Sequence, residues 1–181
     1  FLQCVGSRDS TVGNIYCSRI CCMASLKNAQ LIAEKYPDAD ITIYYIDIRA
    51  CGEGYEEFYV RAQMLGINFV RARVSRIEEE DGDIYLIFED TQNGEIKRVR
   101  HDIAVLSVGL EPERSADVLG NLLGLSRRPD NFFEIAHPKM RPVEAHIDGV
   151  FIAGCASGPK EIPISIAQGS APAAQAIRPL Q

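Results

Sequence analysis

Nowhere does this sequence carry the ~20 consecutive apolar residues that a bilayer-spanning helix requires, and no tract of it is low in complexity. Positive charge is also in short supply. Nineteen Lys and Arg stand against 25 Asp and Glu, a formal net charge of −6, and the basic residues are scattered rather than striped. Nucleic-acid binding, which needs a basic face against the phosphates, is therefore set aside. The chain opens Phe-Leu-Gln-Cys, with no initiator Met and no charged-then-apolar leader, and is expected to be a piece cut from something longer. No internal repeat is visible. What the sequence does have is apolar content, 46% of 181 residues, enough for one full core or for a domain and part of another. It also has six cysteines. A disulfide scaffold belongs to shorter secreted chains poor in core, so metal binding or redox chemistry in a reducing, cytoplasmic compartment is the expectation.

Along the chain, Phe1 to Gly6 reads as a short buried strand, and residues 7–16 carry enough turn formers to be a loop. From Cys21 to Tyr36, small or apolar residues recur at Cys22, Leu26, Ala29 and Ala33, the spacing of one buried helical face, and Pro37 stops the helix. Ile41 to Ile46 is a continuous run of strand formers, as in a parallel strand covered on both sides. Strand, helix and strand make a βαβ unit. A second helix over Tyr55 to Leu65 and a strand from Asn68 continue the sheet. Val74 to Glu79, Ile84 to Glu89 and Ile96 to Val99 read as antiparallel strands, joined at Asp81-Gly82-Asp83 and Gln92-Asn93-Gly94. Ile103 to Val108 is again a buried strand. Gly149 to Gly154 reads as a strand ending in glycine, and Glu161 to Ile177 as a helix with Pro163 in its first turn and a bend at Pro172. The fold class is α/β: over residues 1–107, a mainly parallel Rossmann-like sheet with helices on both faces and an antiparallel hairpin excursion, then a second lobe over 108–181.

Four cysteines carry the sharpest chemical signal. Cys4 leaves the first strand, and Cys17, Cys21 and Cys22 gather around the N-terminus of the first helix, whose N–H groups and partial positive charge stabilise an anionic centre. Four thiolates suit an iron–sulfur cluster or structural zinc. Adjacent cysteines at 21 and 22 favour the bulkier cluster over zinc, whose sites usually take Cys-x2-4-Cys knuckles. The bland alternative makes Cys21 and Cys22 small core residues. Cys51 and Cys155 are expected to be ordinary packing or loop residues. The turn after the first strand lacks Gly-x-Gly-x-x-Gly: Gly6 and Gly13 stand too far apart, so a nicotinamide nucleotide is not expected there.

The stretches Cys-Val-Gly-Ser-Arg-Asp, Tyr-Cys-Ser-Arg-Ile-Cys-Cys-Met, Ile-Tyr-Tyr-Ile-Asp-Ile-Arg-Ala and Ala-His-Pro-Lys-Met-Arg-Pro-Val resemble HdrA, the flavin and iron–sulfur subunit of heterodisulfide reductase, and its relatives, over nearly the whole chain. Ile103 to Pro112 and Asp148 to Gly154 resemble the paired strands that flavoprotein disulfide reductases, thioredoxin reductase among them, set against FAD.

The resemblance implies a pyridine-nucleotide-disulfide-oxidoreductase fold. Its nicotinamide domain would be refitted with a 4Fe-4S cluster on Cys4, Cys17, Cys21 and Cys22, and residues 108–181 would be the returning lobe of a FAD-binding domain. Gly109, Gly154, Cys155, Ala156, Pro163, Ala167 and Gln168 would face FAD. The Lys27 ammonium would sit between cluster and flavin, and His137 would fix a loop. In this family the flavin splits electron pairs between partners of high and low potential. Those partners are subunits B and C and a hydrogenase or dehydrogenase donor, serving methanogenesis or sulfur metabolism. The amino-terminal FAD half and ferredoxin-like segments of the family do not occur in this sequence, so the segment alone is expected to be inactive and to expose an apolar face that favours a homodimer. Two other readings stay open: a NAD(P)H-dependent flavoprotein disulfide reductase, and a zinc-stabilised interaction module without redox chemistry.

Overall fold

The computed structural model describes residues 1–177 except Val12 and Gln92. They fall into two compact units, Phe1–Ser7 with Cys21–Gly109, and Arg8–Ile20 with the described residues from Leu110 onward. The 8–20 stretch, placed by its sequence position in the first domain, thus groups with the second.

In the first unit, β1 (Leu2–Val5), α1 (Cys21–Lys35), β2 (Thr42–Tyr45), α2 (Tyr55–Met64) and β3 (Asn68–Arg71) form two successive βαβ crossovers. After β4 (Val74–Glu80), β5 (Asp83–Glu89) and β6 (Ile96–His101), the chain returns as β7 (Leu106–Val108) on the other side of β1. The parallel sheet has the order β3-β2-β1-β7, and β4-β5-β6 form a separate antiparallel sheet. Parallel register runs Thr42↔Asn68 to Tyr45↔Arg71 between β2 and β3, and Leu2↔Leu106 to Val5↔Val108 between β1 and β7. Asp81 and Gly82 both take left-handed φ, 54° and 86°, the conformation a tight β4–β5 hairpin demands.

Side-chain alternation along β2 decides what covers each sheet face. Ile43 points to one side, where it packs with Leu26 and Ala29 of α1, Ala62 of α2, and Ile41 and Ile67. Tyr44 points to the other, where with Leu2 it meets Leu86 and Phe88 of β5. Helices on both faces were the expectation. Instead both helices share one face and the antiparallel sheet caps the other, because Leu86 and Phe88 alternate with more exposed neighbours and must bury their side against apolar surface.

The second unit has less regular structure. Its core joins Phe133, Ala145 and Ile152, flanked by Leu125 and Ile135. It contains α3 (Ala116–Leu123), closed by Gly124 at φ 65°, a 3-10 turn at Gly154–Ser157, and α4 (Ile162–Ile177). The strand expected over 149–154 is corrected to a short antiparallel pairing: Phe151 bridges Glu144, and Ile152 N–H reaches Val143 O at 2.7 Å. The turn through Gly149, at φ 80°, lets this segment fold back on 143–145 and so satisfy its backbone locally. α4 runs through Pro172, which removes the donor that would reach the Gln168 carbonyl. It carries no charged residue, and Ile162 and Ile166 are 75% and 65% exposed.

Candidate redox site

Parallel α/β sheets place their sites beyond the carboxyl ends of the strands, where crossovers leave in opposite directions. Here that point lies between β1 and β7. Cys4 sits one residue from the end of β1, buried, with its backbone in the left-handed region at φ 62°. That conformation is costly for a residue with a Cβ. Its carbonyl accepts the Ser7 N–H at 3.1 Å, so the chain turns back as soon as the strand ends. Gly109 continues the β1–β7 pairing, its N–H meeting Val5 O at 3.2 Å.

α1 begins at the same end of the sheet. The Cys21 thiol donates at 3.4 Å to the carbonyl of Val108, the residue paired with Val5, and the buried Cys22 thiol donates to Asp47 O at 3.8 Å, two residues past β2. The structure therefore brings Cys4, Cys21 and Cys22 to the carboxyl ends of β1, β7 and β2. α1 has no acidic residue in its first turn, which leaves its partial positive charge unneutralised by carboxylates. One turn on, Ser25 Oγ and Ser107 Oγ are 2.8 Å apart and tie α1 to β7. Lys27 is exposed on α1. Cys51 is an exposed loop residue.

Cys17 belongs to the 8–20 segment of the second unit. Its sulfur accepts the Arg19 N–H at 3.3 Å, and Arg19 holds φ 63° to make that contact. The segment is fastened to the start of the long second portion: Ser18 Oγ accepts the Leu110 N–H at 2.8 Å, and Tyr16 Oη donates to Leu110 O at 2.9 Å. Burial, then the charges of Glu111 and Asp130, raise the Tyr16 pKa and keep that hydroxyl a donor. Arg19 also pairs with Glu161 at 3.3 Å.

All six cysteines are thiols. Among the described residues, no three His, Cys, Asp or Glu side chains are gathered closely enough for a single metal ion. Within the first unit the donors fit an iron–sulfur cluster in kind: Cys4, Cys21 and Cys22 are thiols at one end of the sheet, and Cys21 and Cys22 open a helix whose N-terminus favours negative charge.

Of the residues expected to face a flavin in the second unit, Gly154, Cys155 and Ala156 form the 154–157 turn and Gln168 is bonded to it. Gly154, at φ 58°, donates its N–H to Gln168 Oε1 at 3.1 Å, which joins the turn to α4. Ala156 O accepts the Phe133 N–H at 3.0 Å. Cys155 and Ala156 are exposed, and Pro163 and Ala167, four residues apart on α4, are exposed as well. His137 behaves as a loop fixer, Nδ1 accepting the N–H groups of Lys139 at 3.2 Å and Met140 at 3.1 Å.

Two residues bonded to this turn escaped sequence reasoning. Lys160 Nζ donates to Gly154 O, Ser157 Oγ and Gly158 O at 3.0, 2.7 and 3.3 Å, and Arg128 Nη1 donates to Ser157 O at 3.2 Å. A signal for Lys160 was present: a lysine just ahead of a helix opposes the helix dipole, and a broken local rule marks a candidate site.

No family model matches the chain. It is 58% identical to the HdrA subunit of the ferredoxin/F420H2-dependent CoB-CoM heterodisulfide reductase of Methanosarcina acetivorans, over 98% of this chain and 23% of that protein. It is 54% identical to an iron-sulfur HdrA subunit of the CoB–CoM heterodisulfide reductase of Methanopyrus kandleri, over 97% of this chain and 27% of that protein. The chain thus spans about a quarter of the length of these relatives. Among solved structures, Lactococcus lactis thioredoxin reductase superposes with a TM-score of 0.59 at 19% identity, covering 86% of this chain and 49% of that one. The T. acidophilum thioredoxin reductase gives 0.55 at 16%, covering 86% and 46%. These neighbours share its Rossmann-like fold. Through the matched segment, the chain belongs to the HdrA family of heterodisulfide reductase subunits.

Proposed function

We propose that this chain is the cluster- and flavin-binding segment of an electron-transfer subunit in a heterodisulfide-reductase-type oxidoreductase. The observation that carries this reading is the convergence of Cys4, Cys21 and Cys22 on the carboxyl ends of β1, β7 and β2, in a chain 58% identical to the HdrA subunit of a heterodisulfide reductase. In this reading Cys4, Cys17, Cys21 and Cys22 hold a 4Fe-4S cluster, and Gly109, Gly154, Cys155, Ala156, Pro163, Ala167 and Gln168 face FAD in the full-length protein. A cluster supplies single-electron transfer and a flavin both single and paired transfer, the combination that splitting of electron pairs requires.

The chain's own residues set the conditions. The Arg19 N–H directed at Cys17 Sγ and the N-terminus of α1 stabilise negative charge on the sulfurs, which favours the reduced state. The Lys27 ammonium would do the same for a reduced flavin. Electrons would pass to subunits B and C and arrive from a hydrogenase or dehydrogenase, in the cytoplasm. The apolar, largely exposed α4 would be covered in a homodimer.

The test uses full-length protein purified without oxygen. Cys21→Ser is expected to lose iron while Cys51→Ser keeps it, with FAD retained in both. Equal iron in the two variants, or zinc in its place, overturns the ligand assignment and favours the interaction module.

A further inference from the structure

Lys160 is oddly placed for a structural lysine. Its three acceptors are two carbonyls and a hydroxyl, with no carboxylate among them. Two other cations stand nearby, each with an acid of its own: Arg128 pairs with Asp130, and Arg19 with Glu161 at 3.3 Å. Burial pushes the Lys160 ammonium below its ordinary pKa; the Cys155 thiol opposes this, while Arg128 and Arg19 add to it. α4 begins two residues later with no acid in its first turn, so the helix dipole also opposes the charge. A half-buried cation with only neutral partners is a poor way to brace a turn. It is a good way to prepare one for an anion.

The turn has two sides. Ser157 and Gly158, whose oxygens meet Lys160, are buried, and Cys155 and Ala156 are exposed. Gln168, on α4, holds the Gly154 N–H at 3.1 Å and fixes the other end.

We propose that Lys160 is a positioning residue for the flavin: its ammonium draws the Gly154, Ser157 and Gly158 oxygens inward, which turns Cys155 and Ala156 outward, and it carries the unbalanced positive charge that favours the more negative, reduced form. This rests on the flavin reading of the same turn.

The experiment measures FAD affinity and the midpoint potential of the bound flavin in the full-length protein. Loss of a charge-assisted hydrogen-bond set at Lys160→Met is expected to weaken FAD binding about 10- to 100-fold and move the potential to more negative values. Ser157→Ala removes one acceptor and keeps the charge, so affinity falls by less and the potential stays near that of the wild type. Lys160→Arg keeps the charge and retains the wild-type potential. Wild-type affinity and potential in Lys160→Met overturn the inference, and so do equal potential shifts in Lys160→Met and Ser157→Ala, which mark a purely structural brace. If Lys160→Met does not fold, the other two variants decide: unchanged affinity in Ser157→Ala, or a shifted potential in Lys160→Arg, overturns it. A wild-type protein that binds no FAD refutes the flavin reading itself and this inference with it.

Discussion

The position of Cys21 and Cys22 depends on how firmly α1 is seated on the sheet, and Leu26 is the side chain that seats it. Leu26 is fully buried, with Ala29, Ile41, Ile43, Ala62 and Ile67 in the same core cluster. Two of those neighbours are alanines, so little side chain is available to collapse into the space that truncation leaves. Leu→Ala changes in well-packed cores cost about 2.7 to 5.0 kcal/mol, rising with the residual cavity, and Leu26→Ala is expected in the middle of that range, about 3 to 4 kcal/mol. With a urea m-value of about 2 kcal/mol/M, the unfolding midpoint of the first unit should fall by roughly 1.5 to 2 M. Leu31, on the same helix but 52% exposed, supplies the control: Leu31→Ala should change stability by no more than about 0.5 kcal/mol. Urea denaturation followed by far-UV circular dichroism reads both. A Leu26→Ala loss below about 1 kcal/mol, or equal losses at the two positions, refutes the packing argument.

Gln3 is buried, and neither its amide nitrogen nor its oxygen has a hydrogen-bond partner among the described residues, so Gln3→Met should stabilise the fold by about 1 kcal/mol in the same assay. A loss of stability would mean that the amide is satisfied. Cys4→Gly should relieve the left-handed backbone by up to about 1 kcal/mol in metal-free protein, whereas Cys4→Ser should not; equal stabilities would show that the φ of 62° carries no strain. His101 Nε2 lies 2.8 Å from the buried Tyr44 hydroxyl, and burial lowers its pKa below 6.5 against the opposing charges of Asp40 and Asp102. As pH falls, the unfolded ring takes up its proton before the folded one. This contribution is therefore complete above pH ~6.5 and is lost as pH falls through the folded pKa. The urea midpoint of the wild type should decline more steeply from pH 8 to 5 than that of His101→Gln, and parallel curves would remove His101 from the account.

The βαβ core was legible because its signals are local: the 22-26-29 spacing of α1 matches its buried face, and Pro37 lies just beyond its last residue. The strand pairing around Asp81-Gly82 was legible for the same reason. What covers the far face of the sheet was not, because the meeting of Tyr44 with Leu86 and Phe88 joins segments some 40 residues apart, and no pattern in either names the other. The regrouping of residues 8–20 is a similar case, resting on Tyr16 and Ser18 bonds to a backbone 94 and 92 residues away. At the candidate site, the cysteine spacing pointed to Cys4, Cys17, Cys21 and Cys22, of which the fold carries Cys4, Cys21 and Cys22 to one end of the first unit's sheet. Lys160 stayed hidden because its three acceptors are assembled only when the 154–158 turn closes.

The most direct test of the central claim is metal and sulfide analysis of anaerobically purified full-length protein, with an EPR spectrum after dithionite reduction, for the wild type and Cys21→Ser. The account predicts that Cys21→Ser lowers the content by about four irons and four sulfides per chain, with loss of one reduced-cluster signal. Unchanged iron and spectrum, or zinc in place of iron, would contradict it.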